Sequence, residues 1–186
     1  MPVESVSTSS DAAPAGLPRI VLVLGGARSG KSRFAENLIA QASAKALYIA
    51  TAERRDPEMI ARIAAHRARR GAAWTTLEEP LELVNRLLEL PPDSPPVLVD
   101  CLTLWLANLM EADRDIGFET ERLCSALAQM KQPVVLVANE VGLGIVPDNA
   151  LARAFRDHAG RLNQSVAALA ERVVFLAAGL PMTLKG

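Results

Sequence analysis

Residues 25–32, Gly-Gly-Ala-Arg-Ser-Gly-Lys-Ser, are the stretch whose types and spacing state a chemistry most directly. Gly25, Gly26, Ala27, Arg28, Ser29, Gly30, Lys31 and Ser32 fit G-x-x-x-x-G-K-[ST], a loop that cradles phosphate in backbone N–H groups. Glycine lets the chain bend tightly enough to turn those groups inward. A helix starting at the end of the loop adds its partial positive charge. Lys31 is placed to reach the β- and γ-phosphates, and the Ser32 hydroxyl suits Mg²⁺. The plainer alternative is a Gly-rich turn followed by a chance Lys-Ser. The flanks oppose it: the apolar run Ile20–Leu24 precedes the loop, and the helix-forming run 33–41 follows. The expected ligand is a nucleotide.

Asp100 closes the apolar run Val97-Leu98-Val99. An acid at the end of a buried strand is a natural second partner for Mg²⁺ beside Ser32. The alternative is a cap for the helix that begins near residue 102. His66 is one of two histidines. A lone histidine on a helix is most often a surface or satisfied core residue. Here it stands among Arg62, Arg67, Arg69 and Arg70, and like charges so clustered gain little unless an anion is held there. Neighbouring cations favour the neutral, nucleophilic imidazole, and histidine can form a covalent intermediate. His158 has no such setting and reads as structural.

These groups need elements to position them. Ala46–Ala50 reads as a second buried strand. Asp56-Pro57 opens a helix that runs to about Arg70 and stops at Gly71. Residues 73–77 form a third strand, 81–90 a helix, and 97–100 the strand that ends in Asp100. Helices follow over 102–111 and 118–130, then a buried strand over 133–138 ending in Asn139-Glu140. After the glycine-containing loop 141–147, a long helix occupies about 149–170. The strand 172–177 is the last clear one. Continuous apolar strands alternating with helices predict an α/β fold, a mainly parallel sheet with helices on both faces. Ligands of such sheets sit beyond the carboxyl ends of the strands. Thr51, Glu78, Asp100 and Asn139 all fall there.

The 186 residues suit one domain, 18–186, behind a Ser-, Ala- and Pro-rich tail over 1–17 that lacks an apolar core. The net charge of −1 gives no global electrostatic case for nucleic acid. No apolar run is long enough to span a membrane. Cys101 and Cys124 lack metal-type spacing and read as free thiols of a cytoplasmic protein.

Further segments join the loop in one resemblance. They are Tyr48-Ile49-Ala50-Thr51-Ala52, Arg62-Ile63-x-x-His66-Arg67-x-x-Arg70, Trp74-x-Thr76-x-Glu78 and Asp100-Cys101-Leu102-Thr103. Asn139-Glu140-Val141-Gly142-x-Gly144-Ile145-Val146-Pro147 and Phe155-Arg156-Asp157-x-Ala159-Gly160-Arg161-x-Asn163-Gln164 complete the set. Over about residues 19–184 the chain resembles the bifunctional adenosylcobinamide kinase/adenosylcobinamide-phosphate guanylyltransferases of cobalamin biosynthesis. The resemblance implies a RecA-like fold, a homotrimer and two reactions. In the first, ATP or GTP phosphorylates adenosylcobinamide. In the second, GMP passes from GTP through a histidine to adenosylcobinamide phosphate. His66 matches the guanylylated histidine, although Ala65 stands where some members carry an adjacent histidine. The implied nucleotide contacts are the loop, Ala50, Thr51, Ala52, Arg67, Ala68, Arg69, Arg70, Glu78 and Asp100. Glu78 is placed to accept from the guanine edge or ribose, with a helix cap before Pro80 as its alternative role. Two other function classes remain open at this point: a P-loop kinase of another small hydroxylated substrate, and a GTP-binding regulator. The regulator would carry a guanine-reading Asn/Thr-Lys-x-Asp, which the sequence lacks.

Overall fold

A computed structural model describes residues 16–53 and 71–186. The helix expected over 56–70, with His66, Arg67, Ala68, Arg69 and Arg70, lies outside the described residues. The elements run β1 (Ile20–Gly25), α1 (Lys31–Ala42), β2 (Ala46–Ala50), a 3₁₀ turn (Gly71–Ala73), β3 (Trp74–Glu78), α2 (Leu83–Leu88) and β4 (Val97–Asp100). They continue with α3 (Leu102–Glu111), α4 (Ile116–Gln129), β5 (Val134–Asn139), α5 (Ala150–Leu169), β6 (Arg172–Ala177) and β7 (Leu180–Lys185).

The strands form one sheet in the order β3-β2-β4-β5-β1-β6-β7. All pairs are parallel except β6 with β7. Side-chain alternation along the strands divides the interior in two. Ile20, Leu22 and Leu24 face a cluster completed by α2, α3, α4 and α5. Val21 and Val23 face the other cluster, with Ala35 and Ile39 of α1. Both faces of β1 are therefore buried, which is why its sequence is an unbroken apolar run. Leu17, placed with the tail by its neighbours in sequence, is half-buried and packs against the second cluster. The folded domain thus begins before residue 18.

The structure differs from the sequence reading at several ends. Glu78 is the last residue of β3 rather than the first after it. In α4 the helix starts at Ile116, because the Asp115 carboxylate accepts from Phe118 N at 3.0 Å as its N-cap. The helix expected over 81–90 narrows to Leu83–Leu88. The strand β7 was not expected at all. Its edge position explains how Pro181, which has no N–H to donate, fits there. Ala178 (φ 51°) and Gly179 (φ 81°) make the tight turn that leads into it.

Candidate nucleotide site

Gly25, Asn139 and Leu176 lie level with one another across β1, β5 and β6, and Ala50, Glu78 and Asp100 lie level across β2, β3 and β4. The carboxyl ends of six strands thus form one edge, and the 25–32 loop rises from it at β1, between β5 and β6.

The loop is shaped by tight approaches. Gly25 has φ 151°, and a Cβ there would stand 2.5 Å from the Leu176 carbonyl oxygen and 2.7 Å from Ser29 Oγ. Gly25 O accepts from Glu140 N at 3.0 Å, and Ser29 N closes a turn onto Gly26 O at 3.3 Å. Arg28 adopts φ 57° and is exposed. Gly30, at φ 96°, is the N-cap of α1 and supplies no side-chain cap. The first-turn N–H groups of α1 are therefore directed at whatever lies in the loop. Gly179 N, in the β6–β7 turn, donates to Ser29 O at 3.0 Å and props the loop from the side.

Lys31 is buried, and its Nζ donates to Gly26 O at 2.6 Å, across the loop. Ser29 Oγ is buried without a hydrogen-bond partner among the described residues. A buried hydroxyl without a partner is rare. A bound phosphate would give it one.

Around Asp100 the ends of β2 and β4 are stitched together. Thr51 is fully buried. Its hydroxyl donates to Cys101 O at 2.7 Å and accepts from Cys101 N at 2.8 Å, while Thr51 N donates to Asp100 O at 3.2 Å. Asn108 Nδ2 donates to Thr51 O at 2.9 Å and to Pro80 O at 2.8 Å, drawing in the segment after β3. The Thr51 hydroxyl is thus committed to the backbone of β4, while Ala50 is buried and Ala52 half-buried beside it. Tyr48 OH donates to Asp100 Oδ2 at 2.9 Å. The carboxylate does not cap α3, whose N-cap is Cys101 with no side-chain bond. The turn before α2 is held by Glu79, whose Oε1 accepts from Leu81 N and Glu82 N, while the N-cap of α2 is Glu82 with no side-chain bond.

Burial, reinforced by the neighbouring Asp100 charge, pushes the Cys101 thiol up to about 11, with Lys31 pulling weakly the other way. The thiol is therefore protonated at neutral pH and is no nucleophile. Ser32 and Asp100 offer a hydroxyl and a carboxylate. This hard-oxygen pair fits Mg²⁺, which takes most of its other ligands from water and substrate phosphates.

Sequence reading missed Tyr48, Gly179 and Thr103, the last of which accepts from Asn139 N at 2.6 Å through its hydroxyl. Pairing across the sheet and the β6–β7 turn bring them in; the Tyr-Ile-Ala-Thr and Asp-Cys-Leu-Thr runs carry Tyr48 and Thr103 but assign neither a role.

A profile of the family described as cobinamide kinase / cobinamide phosphate guanyltransferase matches residues 21–184. Over 167 residues the chain is 52% identical to the bifunctional adenosylcobalamin biosynthesis protein CobP of Pseudomonas aeruginosa, covering 89% of this chain and 96% of that one. It is 43% identical over 182 residues to the bifunctional adenosylcobalamin biosynthesis protein CobU of Salmonella typhimurium, covering 89% and 99%. Among solved structures, the RadB recombinase superposes with a TM-score of 0.52 at 16% identity, over 86% of this chain and 75% of that one. The flagellar accessory protein FlaH of Methanocaldococcus jannaschii gives 0.51 at 13%, over 91% and 80%. These two likenesses bear on the fold alone, a mainly parallel sheet with helices on both faces. With the phosphate loop seated in that fold and the family profile spanning nearly the whole domain, the chain belongs to the cobinamide kinase / cobinamide phosphate guanyltransferase family.

Proposed function

We propose that the protein phosphorylates the hydroxyl of the aminopropanol arm of adenosylcobinamide with ATP or GTP and then guanylylates the product. In the second reaction a His66 nitrogen attacks the α-phosphorus of GTP. An N–P bond forms, the bond to the β-phosphate oxygen breaks, and pyrophosphate leaves. The phosphate oxygen of adenosylcobinamide phosphate then attacks the same phosphorus, releasing the imidazole and giving adenosylcobinamide-GDP. The loop amides and Lys31 hold the β- and γ-phosphates, and the arginines at 67, 69 and 70 balance charge at the transferring group. Ser32 and Asp100 would hold Mg²⁺, which neutralises phosphate charge when bound. Ala50, Thr51, Ala52, Ala68 and Glu78 belong to the nucleotide pocket. Of these, Thr51 shapes the pocket by tying β2 to the end of β4, its hydroxyl and backbone being bound to Cys101, Asp100 and Asn108, and Glu78 contributes through its carboxylate. A homotrimer in the cytoplasm is part of the same reading.

The observation that carries the proposal is the loop geometry with Lys31 folded into it, in a chain of this family. Incubation with α-labelled GTP and Mg²⁺ tests it. Wild type should take up acid-labile, base-stable label and release pyrophosphate. His66→Ala should take up none yet still phosphorylate adenosylcobinamide, and His158→Ala should label normally. Lys31→Ala should lose both activities. If His66→Ala accumulates the guanylyl adduct, the assignment of the nucleophile is wrong.

A further inference from the structure

Tyr48 lies in β2, buried, with its ring at 73° to that of Trp74 and the ring centroids 6.4 Å apart. It pairs in register with Leu98, two residues before Asp100 on β4. From that diagonal position a long aromatic side chain reaches the strand end, and Tyr48 OH meets Asp100 Oδ2 at 2.9 Å. The backbone beneath the carboxylate is held separately by Thr51, through Cys101. Both the main chain and the carboxylate plane of Asp100 are thereby constrained by β2.

We propose that Tyr48 is a positioning residue for Asp100: by holding Oδ2, its hydroxyl orients the carboxylate so that Oδ1 faces the cation carried by the nucleotide. A buried phenol needs only some acceptor. Spending it on the carboxylate at the site fixes a group that would otherwise rotate freely, and an ordered ligand binds its cation without a further entropy loss. This inference rests on the reading of Asp100 as a cation partner.

Four full-length proteins test it: wild type, Tyr48→Phe, Asp100→Asn and the double variant. Mn²⁺ binding is read by electron paramagnetic resonance in the presence of β,γ-imido-GTP. Binding of the analogue without metal and the melting temperature are read alongside. The phenylalanine keeps the ring against Trp74 and removes only the hydroxyl. The expected result is Mn²⁺ binding weakened about tenfold in Tyr48→Phe, the size of a hydrogen bond to a charged group. Metal-free analogue binding should be unchanged. The double variant should be no weaker than Asp100→Asn alone, because the hydroxyl acts through that carboxylate. Wild-type Mn²⁺ affinity in Tyr48→Phe, with Asp100→Asn impaired, overturns the role of Tyr48 and leaves Asp100 standing. Losses that add in the double variant overturn it too. Wild-type affinity in Asp100→Asn removes the cation reading and this inference with it.

Discussion

At the scale of single residues the phosphate loop is intolerant where backbone meets backbone and permissive elsewhere. Gly25 has the Leu176 carbonyl 2.5 Å from where a Cβ would stand, and that carbonyl belongs to a strand in register with it. Neither side can give way. Gly25→Ala should therefore weaken nucleotide binding at least about tenfold and lower stability by about 1–3 kcal/mol, the range of overpacking and strain. Gly26→Ala meets nothing within 4 Å and should be nearly neutral for stability. Calorimetric titration with a GTP analogue, with thermal melts of both variants, checks the contrast. If Gly26→Ala proves the more damaging, the loop does not have this shape. The loop residues were legible because their pattern encodes a local backbone path. Tyr48 was not, because its partner Asp100 is 52 positions away and meets it only through strand pairing.

Among the elements, the helices were legible in their apolar periodicity, while their ends depended on polar contacts that sequence spacing left open. The packing of α2 against α4 shows how specific those contacts are. Glu119 is buried in α4 and accepts from Arg122 at 2.8 Å and from Arg114. Arg114 also reaches Glu82 at 2.9 Å, and Arg122 reaches Asn85 at 2.7 Å. Removing Glu119 takes from Arg114 and Arg122 the carboxylate they share, leaving Glu82 and Asn85 as their remaining partners. A fully buried pair broken in this way costs roughly 3–5 kcal/mol. The Arg114 side chain is 32% exposed and can recover water, so Glu119→Ala should cost nearer 2 kcal/mol. That corresponds to a melting temperature lower by roughly 4–8 °C. Glu119→Gln, which keeps the shape and one acceptor, should lose less. Equal melting of Glu119→Ala and wild type would show that the cluster contributes nothing net. The strand β7 is hard to read in sequence because it is short and carries Pro181, a residue that demotes an apolar run to an edge strand or none. The alternation Leu180, Met182, Leu184 was its one signal, and all three side chains are exposed.

For the whole molecule, a mainly parallel sheet with covered faces follows from the alternation of apolar runs with helices, but the order of the strands within it does not. The tail is a simpler case. Residues 1–15 are Ser-, Ala- and Pro-rich without apolar periodicity, whereas Leu17 packs on the core. Deleting residues 1–15 should leave the melting temperature within about 2 °C and nucleotide binding unchanged, and extending the deletion through Leu17 should lower it measurably. A large drop on the shorter deletion would mean that the tail docks. The position of β1 has a consequence for how the protein comes into being. It is the first strand made, yet its two neighbours are β5 and β6, which begin at Val134 and Arg172. Translation at about 5–20 residues per second leaves the apolar run Ile20–Leu24 waiting several seconds for its first partner and longer for its second. The cradle is not yet finished in that interval, because the Gly179 amide that props Ser29 O is made later than β6. The phosphate loop, made before most of the sheet that surrounds it, becomes a finished binding site only after β6 and the turn that follows it have been made.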